Sequence, residues 1–207
     1  MIERIEQLDR DLFLWLNSPH SELMDTLMWY VSTTSLWIPL YVFFLFYAFR
    51  KGNWQYAVYI LLGVIACVAL ADLLSVHAFK NVFQRYRPTH NQEIGDLVKT
   101  VIKPNGEEYR GGQFGFVSSH AANVSAIATF VILSFKQFSK AWWLLILWAC
   151  LIMYSRIYLG VHYPGDLFFG SLLGITIACT IYFGTRPIRK RISITPKPNK
   201  TNPVSNK

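Results

Sequence analysis

The sequence predicts an all-α fold, a polytopic transmembrane helix bundle of five core spans preceded by an N-terminal amphipathic helix. Three observations carry that prediction. The 207-residue chain is 53% hydrophobic and only 15% charged, whereas a soluble domain carries about a quarter charged residues. Its apolar runs approach the roughly 20 residues that cross a bilayer as a helix. Basic turns follow alternate runs, as the positive-inside rule requires of cytoplasmic loops. The 7 Trp and 11 Tyr are enough to furnish two interfacial belts.

Charge placement narrows the function classes. The net charge of +8 does not point to nucleic acid, because seven of the 20 basic residues follow Gly184 with no acid among them. That is a juxtamembrane basic tail, so residues 185–207 are expected to be cytoplasmic and disordered. The N-terminus opens with Glu3, Arg4 and Glu6 rather than the basic run and apolar core of a signal peptide. The first true span is therefore expected to direct insertion. Cys67, Cys150 and Cys179 lie in apolar runs without metal-ligand spacing and read as buried small apolar residues.

Residues 2–17 place Ile2, Ile5, Leu8, Leu12, Trp15 and Leu16 at helical spacing, with Glu3, Glu6, Asp9, Arg10 and Asp11 between them. This is an amphipathic helix lying in the membrane interface, ended by Asn17-Ser18-Pro19. Residues 1–26 form that interfacial segment, and residues 27–184 form the membrane-embedded domain. The apolar run 36–49 is too short to span, so the first span is extended back to about Leu27, through Thr33, Thr34 and Ser35. Residues 1–25 carry six acids against two bases, which favours leaving them outside. A sixth span built from this region is the alternative.

The second span, residues 54–76, runs outward to Lys80. An outer polar loop, 84–117, follows; within it 97–103 and 107–110 flank Pro104-Asn105-Gly106 as a hairpin turn. The third span (120–135) returns to the basic turn 136–140, the fourth (142–158) goes outward, and the fifth (166–183) returns to the basic tail. Counting spans brings three polar clusters, 80–88, 118–120 and 156–166, to one outer face. Charged groups beside hydrocarbon are costly, so such clusters mark a functional site.

Each cluster suits a phosphate. His162 and Asp166 are four residues apart, with Pro164 placed as a first helical residue and Asp166 in the first turn. An Asp that holds one imidazole nitrogen leaves the other free as a nucleophile or base. Arg156 offers a guanidinium fork that matches phosphate oxygens, although an Arg at that depth also snorkels to headgroups. Ser118-Ser119-His120 opens an apolar helix, so the serines cap it, its free N–H groups face an anion, and His120 can protonate a leaving oxygen. Lys80 and Arg87 are seven residues apart, and Pro88 turns Arg87 out of the helix into a loop. Arg85 is a third cation without an evident task. Asp72 is expected to pair with a buried polar group, and His20, His77 and His90 read as structural or exposed. Asp166 is the only acid within the three clusters, which points to phosphate chemistry without a metal or other cofactor.

These residues give the chain a resemblance to the type 2 phosphatidic acid phosphatase family, the lipid phosphate phosphatases related to vanadium haloperoxidases. The family pattern Lys-x6-Arg-Pro is matched by Lys80, Arg87 and Pro88, and Ser-Arg-x5-His-x3-Asp by Ser155, Arg156, His162 and Asp166. The intervening Pro-Ser-Gly-His is Val117-Ser118-Ser119-His120 here, with Val for Pro and Ser for Gly. The resemblance covers about residues 54–184. It implies that His162 attacks phosphorus, that Asp166 orients it, and that His120 protonates the leaving group. It also implies that Lys80, Arg87, Arg156, Ser118 and the amides of Ser119 and His120 hold the phosphate.

The expected function is hydrolysis of a lipid phosphomonoester or pyrophosphate through a phosphohistidine, at the outer face of a bacterial cytoplasmic membrane. Undecaprenyl diphosphate stands ahead of phosphatidate and phosphatidylglycerol phosphate as substrate, and a lipid A phosphatase or lipid phosphotransferase is the alternative. An anion or lipid transporter is the rival from another class, and a haloperoxidase a weaker one. The partners expected are the lipid substrate and membrane lipids, with no protein partner and no nucleic acid.

Overall fold

The computed structural model describes residues 2–192, so the expectation for the tail beyond 192 lies outside the described residues. The elements are α1 (Ile2–Asn17), α2 (Glu22–Ser32), α3 (Ile38–Lys51), α4 (Trp54–Leu74), α5 (Ser119–Phe135), α6 (Leu145–Tyr158), α7 (Pro164–Gly184) and α8 (Arg186–Arg191). Among the described residues there is no β-strand, only two isolated bridges. The chain is an all-α membrane helix bundle, as its composition predicts.

Three helices are long and apolar enough to cross a membrane: Trp54–Phe83, Lys140–Tyr158 and Pro164–Gly184. The first contains α4, which passes without interruption into a wider π turn, Ser75–Lys80, and ends at Asn81–Phe83. The expected first span is broken. Its halves α2 and α3 meet at a bend of 69°. Thr33 is extended there (φ −83°, ψ 122°), and a short turn at Thr34–Trp37 precedes α3. Pro39, in the first turn of α3, has no N–H to continue a helix from Ser35.

The expected third span, α5, has 17 residues, about 26 Å at 1.5 Å per residue against a hydrocarbon core of about 30 Å. It is the inner helix, buried along its length by α4, α6 and α7. Absent side chains permit that packing. A Cβ on Gly174 would lie 2.1 Å from the carbonyl oxygen of Ala122, and one on Gly170 2.6 Å from that of Ser118. A Cβ on Gly63 of α4 would lie 2.1 Å from the Phe130 ring. Small residues at these crossings let backbones approach in a medium that gives no hydrophobic drive between helices.

The outer surfaces of the bundle are apolar. Leu62, Ile65 and Leu73 of α4, Leu147 of α6, and Phe168 and Leu172 of α7 are exposed large hydrophobics. A bilayer solvates such a surface, which in water would be an association liability. Cys67 is buried as expected, but Cys150 is exposed on α6, where lipid rather than protein packs an apolar thiol.

The connection after α4 folds over one end of the bundle. The predicted hairpin forms: Lys103 N–H donates to Glu107 O (2.8 Å), Tyr109 N–H to Val101 O (2.9 Å), and Gly106 turns with φ +85°.

Candidate active site

The three polar clusters converge at that end. His162 is carried by the short segment between α6 and α7. Gly160 (φ +73°) ends α6 in a left-handed turn, with its N–H on Ile157 O (2.9 Å) and that of Val161 on Arg156 O (3.1 Å). Only glycine fits, since a Cβ there would lie 2.7 Å from Val98. Three residues later Pro164 starts α7, and Asp166 caps it, Oδ2 accepting the Tyr163 N–H at 3.1 Å. The chain is thereby turned so that His162 (1% exposed) and Asp166 (0%) face each other inside the protein.

The imidazole has two different sides. Its Nδ1 lies 3.5 Å from Asp166 Oδ2, a long contact of the kind that closes when substrate binds. Its Nε2 lies 3.4 Å from Arg87 Nη1. Burial, then the charges of Arg87, Arg156 and Lys80, hold the His162 pKa well below its ordinary value. That shift favours the neutral ring, the form in which an imidazole acts as a nucleophile. Asp166 Oδ1 takes a 2.8 Å ion pair from Arg85, the cation whose task the motifs leave open. The Gly115 backbone lies against the pair; a Cβ there would be 3.1 Å from Asp166 Oδ2.

The cations arrive from three directions. Arg87, extended before Pro88 as predicted, donates Nε to Phe114 O (3.1 Å) and Nη1 to Val161 O (3.3 Å). Lys80, on the last turns of the α4 helix, donates Nζ to Ser119 Oγ at 2.6 Å, and that hydroxyl also lies 2.6 Å from Ser75 Oγ. Arg156 (3% exposed) is gripped by Ser32 of α2 and by the Tyr109 hydroxyl (2.9 Å) of the hairpin. Among the described residues its buried Nε has no hydrogen-bond partner.

The two serines divide their tasks. Ser118 is fully buried, its Oγ capping the Ala121 N–H (3.4 Å) and its N–H donating to Asp166 O (3.1 Å). Ser119, which replaces the family's glycine, is the serine beside Lys80. His120 follows in the first turn of α5, within electrostatic reach of Arg156, His162, Arg87 and Lys80. It lines a cavity of about 660 Å³ with Ser119, Asp72, Asn123 and apolar side chains of α3, α4 and α5. Asp72 has a polar partner, Asn123 Nδ2 at 2.9 Å, but the pair is exposed where a buried partner is expected. His20 pairs with Asp25 (2.9 Å) and His90 with Thr89 (3.1 Å), outside the cluster.

Sequence reasoning missed Asp9, Ser32, Ser75 and Tyr109, and left Arg85 unassigned. Arg85 carried a usable signal. Residues 85 and 87 flank Tyr86, which bridges to Phe114, and alternate residues of an extended segment share a side. Tyr109 and Ser32 carried none, because only the folded bend and hairpin bring them to Arg156.

Residues 53–189 match the family model described as PAP2 superfamily. A lipid A 4'-phosphatase of Porphyromonas gingivalis is 35% identical over 183 residues, 87% of this chain and 74% of its own. One of Bacteroides thetaiotaomicron is 34% identical over 204 residues, 97% of this chain and 87% of its own. More distantly, an undecaprenyl-diphosphatase of Sulfolobus acidocaldarius is 26% identical over 186 residues, 87% of this chain and 81% of its own. The crystal structure of Aquifex aeolicus LpxE superposes with a TM-score of 0.60 at 25% identity, covering 84% of this chain and 94% of that one. A transmembrane PAP2-type phosphatidylglycerolphosphate phosphatase from Bacillus subtilis shares the fold, with a TM-score of 0.62 at 19% identity over 91% and 88% of the chains. The Lys80, Arg87, His120, Arg156, His162 and Asp166 cluster lies inside the matched region, and the chain is an integral membrane phosphatase of the PAP2 superfamily.

Proposed function

We propose that the chain removes a phosphate monoester from a membrane glycolipid, with the 4'-phosphate of lipid A as the substrate class to test first. One geometric observation carries the chemistry: His162 turns Nδ1 toward Asp166 and Nε2 toward the Arg87 guanidinium. The nitrogen turned away from Asp166 therefore lies beside the cation that would draw a phosphate. In this reading Nε2 attacks phosphorus, and the bond to the leaving oxygen breaks as His120 gives that oxygen its proton. His120 then activates water, which attacks the phosphohistidine and releases phosphate. Lys80, Arg87, Arg156, Ser119 and the first free N–H groups of α5 take the charge that builds on the phosphoryl oxygens. In this reading cations and helix amides take the charge, and no step uses a metal.

The substrate follows from kinship more than geometry. The two lipid A 4'-phosphatases cover most of their length with this chain at about one identity in three, which reverses the order expected from motifs alone, where an isoprenyl diphosphate stood first. The undecaprenyl-diphosphatase relative keeps that second reading in view. The cavity beside His120, with apolar walls, suits the lipid body of either.

Phosphate release across a panel separates them. The panel is lipid A with its 4'-phosphate, lipid A with only its 1-phosphate, undecaprenyl diphosphate, phosphatidate and phosphatidylglycerol phosphate. The 4'-phosphorylated lipid should turn over fastest, and His162→Ala should abolish turnover on every lipid. Release by a folded His162→Ala variant would remove the nucleophile, and substrate translocation without release would favour the transporter.

A further inference from the structure

We infer that α1 is a clamp on the nucleophile, with Asp9, Asn17 and Arg85 as positioning residues for His162. The inference rests on the reading in which His162 attacks phosphorus. The matched region begins at residue 53, so α1 lies outside what the family pattern describes.

Two contacts from α1 bracket the segment that carries His162. At its C-terminal end Asn17 is buried, and its Nδ2 is shared among the carbonyls of Tyr158 (2.9 Å), Ile157 (3.1 Å) and Lys99 (3.1 Å). The carbonyls of Ile157 and Tyr158 belong to the last turn of α6, where orphan acceptors gather; Ile157 O already takes the Gly160 N–H, and Asn17 adds a second donor to it and supplies one to Tyr158 O. Asn17 Oδ1 accepts the Lys99 N–H at 2.8 Å, so the same side chain also fixes the outer loop.

Two turns earlier Asp9 holds the other side of the segment. Its Oδ1 accepts the Gly165 N–H and its Oδ2 an Arg85 N–H, both at 2.8 Å. Between these anchors Phe13 of α1 is fully buried, its ring edge-on to Tyr163 at 5.4 Å. The chain of charges runs from Asp9 through Arg85 and Asp166 to His162. Asp166 needs Arg85, since a buried carboxylate without a compensating charge is strongly unfavourable. Arg85 in turn is held by Asp9 and stacked over the Tyr163 ring at 4.2 Å. That seat keeps a third guanidinium on the far side of Asp166, where it orients the dyad instead of joining Arg87 and Arg156. An anchor alone would need only the exposed Ile5, Leu8, Leu12 and Trp15 face of α1. It would not need a buried asparagine and an aspartate aimed at the two ends of one loop.

The test uses the full chain in nanodiscs, comparing wild type, Asp9→Asn, Asp9→Glu, Arg85→Gln, the Asp9→Asn/Arg85→Gln double variant and His162→Ala. The activity probe is 4'-phosphorylated lipid A. Misplacing a reacting group by about 1 Å costs up to about 100-fold, so Asp9→Asn and Arg85→Gln should lower kcat about 10- to 100-fold with KM within about twofold. Asp9→Glu should recover part of the loss. Members of one chain are non-additive, so the double variant should be no slower than the slower single one.

The Nδ1 proton resonance of His162, read by NMR without substrate, should move in Asp9→Asn and Arg85→Gln. Unchanged kcat per folded molecule, an unmoved resonance, or additive losses would overturn the clamp. Those results with an inactive His162→Ala leave the reading of His162 standing. An active His162→Ala sinks that reading instead. The resonance decides on the clamp whichever lipid is the substrate.

Discussion

At the scale of single residues, His162 is poised by subtraction as much as by contact. Burial and three nearby cations all penalise its protonated form, so its pKa falls well below the ordinary value of about 6.5. A lowered histidine pKa means a ring that stays neutral as pH falls through 6.5. In the free enzyme, kcat/KM should therefore show no loss from His162 protonation between pH 8 and pH 6. The 15N shifts of its ring should report the neutral form across that interval. Arg87→Met removes one of the repelling charges, so the ring should protonate at higher pH than in wild type while phosphate affinity falls. A wild-type ring that titrates at 6.5 would contradict the burial and the cation placement together. Tyr109 offers a second residue-level check. Its hydroxyl meets Arg156 Nη2 at 2.9 Å in a part-buried contact, and a hydrogen bond to a charged group is worth about 1.5–3 kcal/mol. Tyr109→Phe should accordingly raise KM for the lipid phosphate roughly tenfold or more, with the larger effect on KM than on kcat.

At the scale of elements, the site depends on how closely α5 and α7 approach. Both helices start at the site, so their positive N-terminal ends point toward the same place. Gly170 and Gly174 set the approach, and a methyl group at 174 would lie 2.1 Å from a backbone oxygen. A backbone carbonyl cannot rotate away as a side chain can, so Gly174→Ala must separate the helices. Separation moves Ser119 and His120 away from His162, and about 1 Å of such movement costs up to about 100-fold. Gly174→Ala should lose activity on that scale and lower the thermal midpoint, whereas Gly184→Ala, with nothing within 4 Å of the added carbon, should do neither. Equal behaviour of the two variants would remove helix approach as the determinant.

Elements also show what a sequence can and cannot reveal. The helices were legible because apolar runs and basic turns are local, and so were Lys80, Arg87, Arg156, His162 and Asp166, whose spacings fall within single segments. The break at Thr33 was half visible in its run of hydroxyl residues, yet the need for a long span argued against it. Asn17, Asp9 and Tyr109 were illegible for a different reason. Each acts on a residue about 50 to 160 positions away, and an acid or amide on an amphipathic helix looks like its solvated face until the fold turns it inward.

At the scale of the whole molecule, charge is distributed by end. Arg50, Lys51, Lys136, Lys140, Arg186, Arg189, Lys190 and Arg191 occupy turns and termini at the end of the bundle away from the proposed phosphate site, and no acid interrupts them. The site end carries a mixture, including Glu93, Asp96, Glu107 and Glu108. Basic residues near short spans stay on the cytoplasmic side, because moving them across against the membrane potential is unfavourable. The phosphate site should therefore open to the outer face. Cysteine labelling in a cysteine-free background checks the orientation on intact cells. Asn105→Cys, at the exposed hairpin tip, should react with a membrane-impermeant maleimide without permeabilisation. Lys136→Cys, in the basic turn after α5, should react only after it. The opposite pattern would put the proposed catalytic cluster in contact with the cytoplasm and exclude a substrate presented on the outer leaflet. Adding lysines to the hairpin tests the same cause from the other side. If end-to-end charge asymmetry sets the orientation, each added cation at 104–107 should increase the fraction of molecules labelled in the reverse sense, and phosphate release from outer-leaflet substrate should fall in the same proportion.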